Sequence, residues 1–193
     1  MLNNIAKYKI LLGSKSPRRR ELLEMLRIPF TVCNIPGIEE SYPEDMPPQN
    51  VPQYLSEVKA NAFLKRLKSD ELVITADTLV VLGDKIFGKP KSHQEAIEML
   101  MELSGREHQV ITGVTLATHT TRTSFTTTTD VKFAEITPDE AEYYVDSFSP
   151  LDKAGAYGIQ EWIGGVAVES IHGSFYNVMG LPIHRLYQEL KQF

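Results

Sequence analysis

Four cations and two hydroxyls crowd one short stretch of this chain, "GSKSPRRR", from Gly13 to Arg20. An apolar run stops at Gly13, and a helical pattern opens after Pro17, a residue suited to the first position of a helix. The stretch therefore reads as a turn into a helix N-terminus, which offers unpaired N–H groups and a partial positive charge. Ser14 and Ser16 add hydroxyl donors, and Arg18 and Arg19 add planar forks that match phosphate oxygens. Cations are disfavoured at this end of a helix, by about a few tenths of a kcal/mol each. Three consecutive arginines there point to an anion, with phosphate foremost, against the alternative of a solvated first turn. Arg20 is assigned to solvent or to a salt bridge.

The acids come next. "TADTLVV" sets Asp77 inside a strongly apolar strand, and a buried carboxylate without a partner is costly. Asp77 is thus either a structural acceptor or a cleft residue that binds metal or activates water. "GIEES" supplies Glu39 and Glu40 on a loop. Lys59 falls on a helix, Lys89 on a short return strand and Lys153 in a glycine-containing loop. Taken singly, each of these glutamates and lysines reads as a solvated side chain. Taken together they form the set that metal-assisted phosphoryl chemistry uses: carboxylates hold a divalent ion, and cations neutralise the phosphate chain.

Several other chemistries are unsupported. "GDKIFGKP" fits G-x-x-x-x-G-K, but Pro90 stands where a P-loop needs a Ser or Thr hydroxyl for magnesium. Gly83 also falls at a hairpin turn, and no helix opens before Ser92. The five histidines lack metal-ligand spacing, and neither G-x-S-x-G nor G-x-G-x-x-G occurs. A net charge of -5 over 193 residues argues against broad nucleic-acid binding. The single cysteine, Cys33, excludes an internal disulfide and is expected to be buried in the strand around "FTVCN". No apolar run approaches the roughly 20 residues of a membrane span, and no secretory segment opens the chain, so the expected setting is cytoplasmic.

These side chains need elements to position them. "YKILLG" reads as a buried strand, and Ser16 as the cap of the helix that follows. "SYPEDMPPQN" is a loop, and a helix is expected from about Val51 to Leu67. "LVITADTLVVL" is a central strand, "GDK" a turn and "IFGKP" a return strand. Ser92 and Glu95 predict a capping box for a helix to about Leu103. "HQVITGVTLATHTTRTSFTTTTDVKFAEI" predicts two long strands joined by a Thr- and Arg-rich turn. Thr137 and Glu140 cap another helix, "GGVAVESI" is a strand, and two short helices end the chain. Alternating strands and helices followed by a long hairpin predict an α/β fold: an elongated mixed β-sheet flanked by helices, with two lobes and a central cleft for a ligand.

In this order the motifs resemble the Maf family of nucleoside triphosphate pyrophosphatases. "SKSPRRRELL", "GIEE", "LSEVKA", "ADTLVV", "GKP", "LSGREHQVITGV", "DKAGAYGIQ" and "GSFYNVMGLP" carry the likeness over nearly the whole chain. The resemblance implies a single domain over residues 1–193, of a fold shared with inosine triphosphate pyrophosphatases. It implies hydrolysis of a nucleoside triphosphate to the monophosphate and pyrophosphate, with Mg²⁺ or Mn²⁺. It assigns Asp77 as proton acceptor, and Glu40 with Asp77 as metal ligands. Substrate contacts fall to Ser14, Ser16, Arg18, Arg19, Lys59, Lys89 and Lys153. The combination of Arg18, Thr78 and Gln160 resembles the subgroup preferring dTTP and UTP. At "QEWIGG" the chain is bulkier after Gln160 than the glycine-rich form of the family. A homodimer is a further family-level expectation. Two other readings stand beside this one: a purine-type pyrophosphatase acting on 7-methyl-GTP or inosine triphosphate, and a nucleotide-binding regulator of septum formation.

Overall fold

The computed structural model describes residues 2–193. Seven strands form one mixed sheet in the order β2-β1-β3-β5-β6-β7, with β4 paired to β3. β1 (Lys9–Leu12) lies parallel to both β2 (Phe30–Val32) and β3 (Glu71–Leu82). A parallel return needs a crossover, and helices supply both: α1 (Pro17–Glu24) between β1 and β2, and α2 (Val51–Leu64) before β3. β4 (Lys85–Phe87) turns back antiparallel on β3. Gly83 sits in that turn with φ of +61°, a conformation that favours glycine. β5 (Glu107–Ala117) and β6 (Arg122–Phe133) are the long pair, and β7 (Val168–His172) adds antiparallel to β6.

The chain divides into two compact units. The first holds the chain up to Asp77, Thr112–Thr127 and Gly180–Phe193; the second holds Thr78–Ile111 and Thr128–Met179. The core of the first unit includes Ala60, Phe63, Leu67, Val73 and Ala117. The helices α3 (His93–Leu103), α4 (Pro138–Phe148), α5 (Trp162–Val166) and α6 (Phe175–Met179) belong to the second unit, and α7 (Ile183–Gln192) to the first. The second core gathers Leu100, Leu103, Val131, Phe133, Tyr144 and Ile163, among others.

Some local expectations shift. α2 ends at Leu64 rather than Leu67, because the N–H groups of Arg66 and Leu67 both bond Phe63 O and tighten the last turn. Leu67 still packs into the core. Ser92 accepts from Glu95 N, but the Glu95 carboxylate takes Lys91 N instead of closing a full box; Thr137 and Glu140 do close one. "GGVAVESI" splits: Gly164, Gly165 and Val166 end α5, and the strand begins only where Val168 meets Phe133. Cys33 lies one residue beyond β2, half-buried against the first core.

A buried histidine packs against the second core. His108 is 2% exposed, and its ring meets Phe133 and Tyr157 edge-on. Its Nε2 and the Tyr157 hydroxyl share a 2.8 Å hydrogen bond, while Nδ1 is buried with no partner among the described residues. Burial lowers the His108 pKa from 6.5 to about 4 and pushes the Tyr157 hydroxyl up. The unfolded chain therefore takes a proton below pH 6.5 that the folded chain refuses. The His108 contribution is fully present above pH 6.5 and is lost as pH falls to about 4, about 3 kcal/mol in all. Denaturant unfolding between pH 7 and 4 should show this slope, and His108→Gln should flatten it. An identical slope in the variant would assign it to other groups.

Candidate functional site

The turn after β1 is closed by its own hydroxyls. Ser14, 8% exposed, accepts from Ser16 N at 3.2 Å, and Ser16 accepts from Arg19 N at 3.4 Å as the cap of α1. Pro17 occupies the first helical position, as its missing N–H predicts. Arg20 pairs with Glu24 at 3.0 Å on the exposed face. Arg18 is half-buried. Arg19 turns inward: Nε donates to Gly180 O and Nη1 to Ala76 O, both at 2.8 Å. Burial lowers its pKa from the ordinary value, and Asp77 opposes that shift. An arginine keeps its proton regardless, so a full positive charge is held beside Asp77.

α2 and β3 bring the acid and the lysine together. Ser56 is fully buried and meets the Thr115 hydroxyl at 2.7 Å; the Thr75 hydroxyl donates to Ser56 O at 2.7 Å. Two residues on along the strand, Asp77 shares a face with Thr75. Three residues on along the helix, Lys59 shares a face with Ser56. The hydroxyl contacts thus set the register in which Lys59 Nζ reaches Asp77 Oδ1 at 2.6 Å and Glu40 Oε2 at 3.0 Å. The Lys59 and Asp77 side chains are each 13% exposed, and that of Glu40 is 48% exposed. The lysine that reads as a surface residue in the sequence is paired and mostly buried. Glu39 stays exposed.

Two carboxylates from separate segments therefore converge on one cation position, held by the Lys59 ammonium. Among the described residues no three His, Cys, Asp or Glu side chains form a metal-binding group. A two-carboxylate site suits Mg²⁺ or Mn²⁺, which fill the rest of their shell with water and phosphate oxygens.

The remaining candidates lie in the second unit. Thr78 follows Asp77 on β3 and is half-buried; Lys89, just past β4, and Gln160 are exposed. Lys153 is 7% exposed, with Nζ 2.9 Å from Asp152 and 3.1 Å from Glu161. The sequence marks Lys153 as a candidate but not these partners, nor Tyr144, which bonds Glu161. The acid set among the glycines of "DKAGAYGIQEWIGG" was the available signal.

Residues 9–193 match the Maf family, described as Maf-like protein. A protein of Bacteroides fragilis (strain ATCC 25285) named dTTP/UTP pyrophosphatase is 52% identical over 192 residues, covering 100% of each chain. One of the same name from Bacteroides thetaiotaomicron is 51% identical with the same coverage. The solved structure of a HAM1 protein from Coxiella burnetii is 16% identical, covers 96% of this chain and 100% of that one, and superposes with a TM-score of 0.51. That likeness shows a shared fold, in line with the mixed sheet flanked by helices.

Proposed function

The chain belongs to the Maf family, and on that premise we propose that it hydrolyses dTTP and UTP, with related modified pyrimidine nucleotides, to the monophosphate and pyrophosphate. This reading treats the 193 residues as a single domain that clears unwanted nucleotides from the cytoplasmic pool as a homodimer. Neither nucleic acid nor a membrane surface has a part in it. Among the described residues no helix is long and apolar enough to cross a membrane.

The observation that supports the chemistry most is the convergence of Glu40 and Asp77 on Lys59 in the unit that also holds the α1 N-terminus. Ser14, Ser16, Arg18 and Arg19 receive the phosphate oxygens. Lys59, Lys89 and Lys153 offset the remaining charge. Asp77 accepts the proton of the attacking water as its oxygen joins phosphorus and the anhydride bond between the α- and β-phosphates breaks. Glu40 and Asp77 are the groups that would hold a divalent ion, whose contribution is to polarise the phosphates and lower the pKa of bound water. Arg18, Thr78 and Gln160 set the pyrimidine preference.

Pyrophosphate release from dTTP, UTP, 7-methyl-GTP and inosine triphosphate, with Mg²⁺ or Mn²⁺, tests this reading. dTTP and UTP should turn over fastest, and chelation of the metal should abolish release. Preference for 7-methyl-GTP would reassign the substrate. No turnover of any triphosphate would leave a binding protein.

A further inference from the structure

Lysines are almost never fully buried unless paired, and Lys153 is both. Its two carboxylates differ in kind. Asp152 is its chain neighbour and its side chain is 55% exposed, whereas that of Glu161 is 20% exposed. Glu161 is also held from behind. Tyr144 of α4, fully buried, donates its hydroxyl to Glu161 Oε2 and accepts from Gly158 N at 3.0 Å. One polar chain therefore runs from Gly158 N through Tyr144 and Glu161 to Lys153 Nζ. The backbone leaves room for it: a Cβ on residue 158 would lie 2.9 Å from Glu161 Cδ and 3.0 Å from Lys153 Cε.

We propose that Glu161, aligned by Tyr144, is a positioning residue that fixes the Lys153 ammonium to meet the phosphate chain of the substrate. The inference rests on the reading above that Lys153 contacts phosphate. A lysine has large rotamer freedom, and ordering it on ligand arrival weakens binding. A mostly buried carboxylate with its own hydrogen bond stays in place when an anion arrives, and Asp152 is the more exposed of the two acids. Glu161 directly follows Gln160, so the same anchor lies next to a second candidate substrate residue.

Steady-state kinetics with dTTP, paired with thermal melts, test this in Lys153→Met, Glu161→Gln, their double variant and Tyr144→Phe. Lys153→Met should raise KM about tenfold, and Glu161→Gln about three- to tenfold, with kcat changed less than about twofold. Tyr144→Phe should fall between the native chain and Glu161→Gln. The double variant should match Lys153→Met alone, since both changes remove one contact. A merely structural Glu161 would instead add its effect in the double variant and lower Tm in both backgrounds. Should Glu161→Gln misfold, Tyr144→Phe, which deletes a single hydroxyl, carries the test. A raised KM in Lys153→Met with native KM in Glu161→Gln and Tyr144→Phe overturns the positioning role and leaves the phosphate reading standing. A native KM in Lys153→Met overturns both.

Discussion

Asp77→Asn should leave the protein folded and lower turnover by about 10²- to 10⁴-fold, the range a positioned acid–base group contributes. The exchange keeps size and shape, and an Asn Oδ1 still accepts from Lys59 Nζ, 2.6 Å away in the native chain. What it removes is the charge and the capacity to take a proton from water. Lys59 keeps Glu40 at 3.0 Å, and Arg19 keeps its two carbonyl partners. No buried cation is thus left wholly unpaired, the situation that makes single-partner deletions costly. Pyrophosphate release reads the catalytic effect and a thermal melt reads the fold. Turnover close to native would remove Asp77 from the catalytic role.

The second large effect is expected in stability. Gly113 of β5 faces the start of α2 so closely that a Cβ would lie 2.2 Å from Gln53 N and 2.3 Å from Pro52 C. Both are main-chain atoms, so no side-chain rotation relieves the clash. Either β5 or the whole helix must move, yet Ser56 ties α2 to Thr115 and Thr75 at 2.7 Å each. Gly113→Ala should destabilise by about 3 kcal/mol, the upper range for overpacking. In a chain of this size that lowers Tm by roughly 6–12 °C. Because α2 carries Lys59, KM should rise with it. An unchanged Tm would show that α2 has room to withdraw from β5.

Local chemistry made much of this legible. Pro17 and Ser16 mark a helix start whatever surrounds them, since a missing N–H and a capping hydroxyl act within a few residues. Thr137 and Glu140 do the same for α4. The apolar run around Asp77 marked a central strand, and an acid there demanded a partner. The identity of that partner was not legible, because Lys59 is 18 residues away and reads as a surface lysine until α2 packs on β3. Arg19 was legible as a cation at a helix start, but not as a clamp on Ala76 O and Gly180 O. Those acceptors are main-chain carbonyls, which carry no residue signature.

The sequence by itself determined the family, the α/β class and a cation-rich turn into a capped helix, because each rests on residue type at short spacing. The tertiary structure alone decided which charges are paired: Lys59 with Glu40 and Asp77, and Lys153 with Asp152 and Glu161. The Lys59 pairing depends on helix–sheet register, which buried hydroxyls and one glycine contact set. Burial then gives those pairs their weight, since a charge taken out of water must find its partner in the fold.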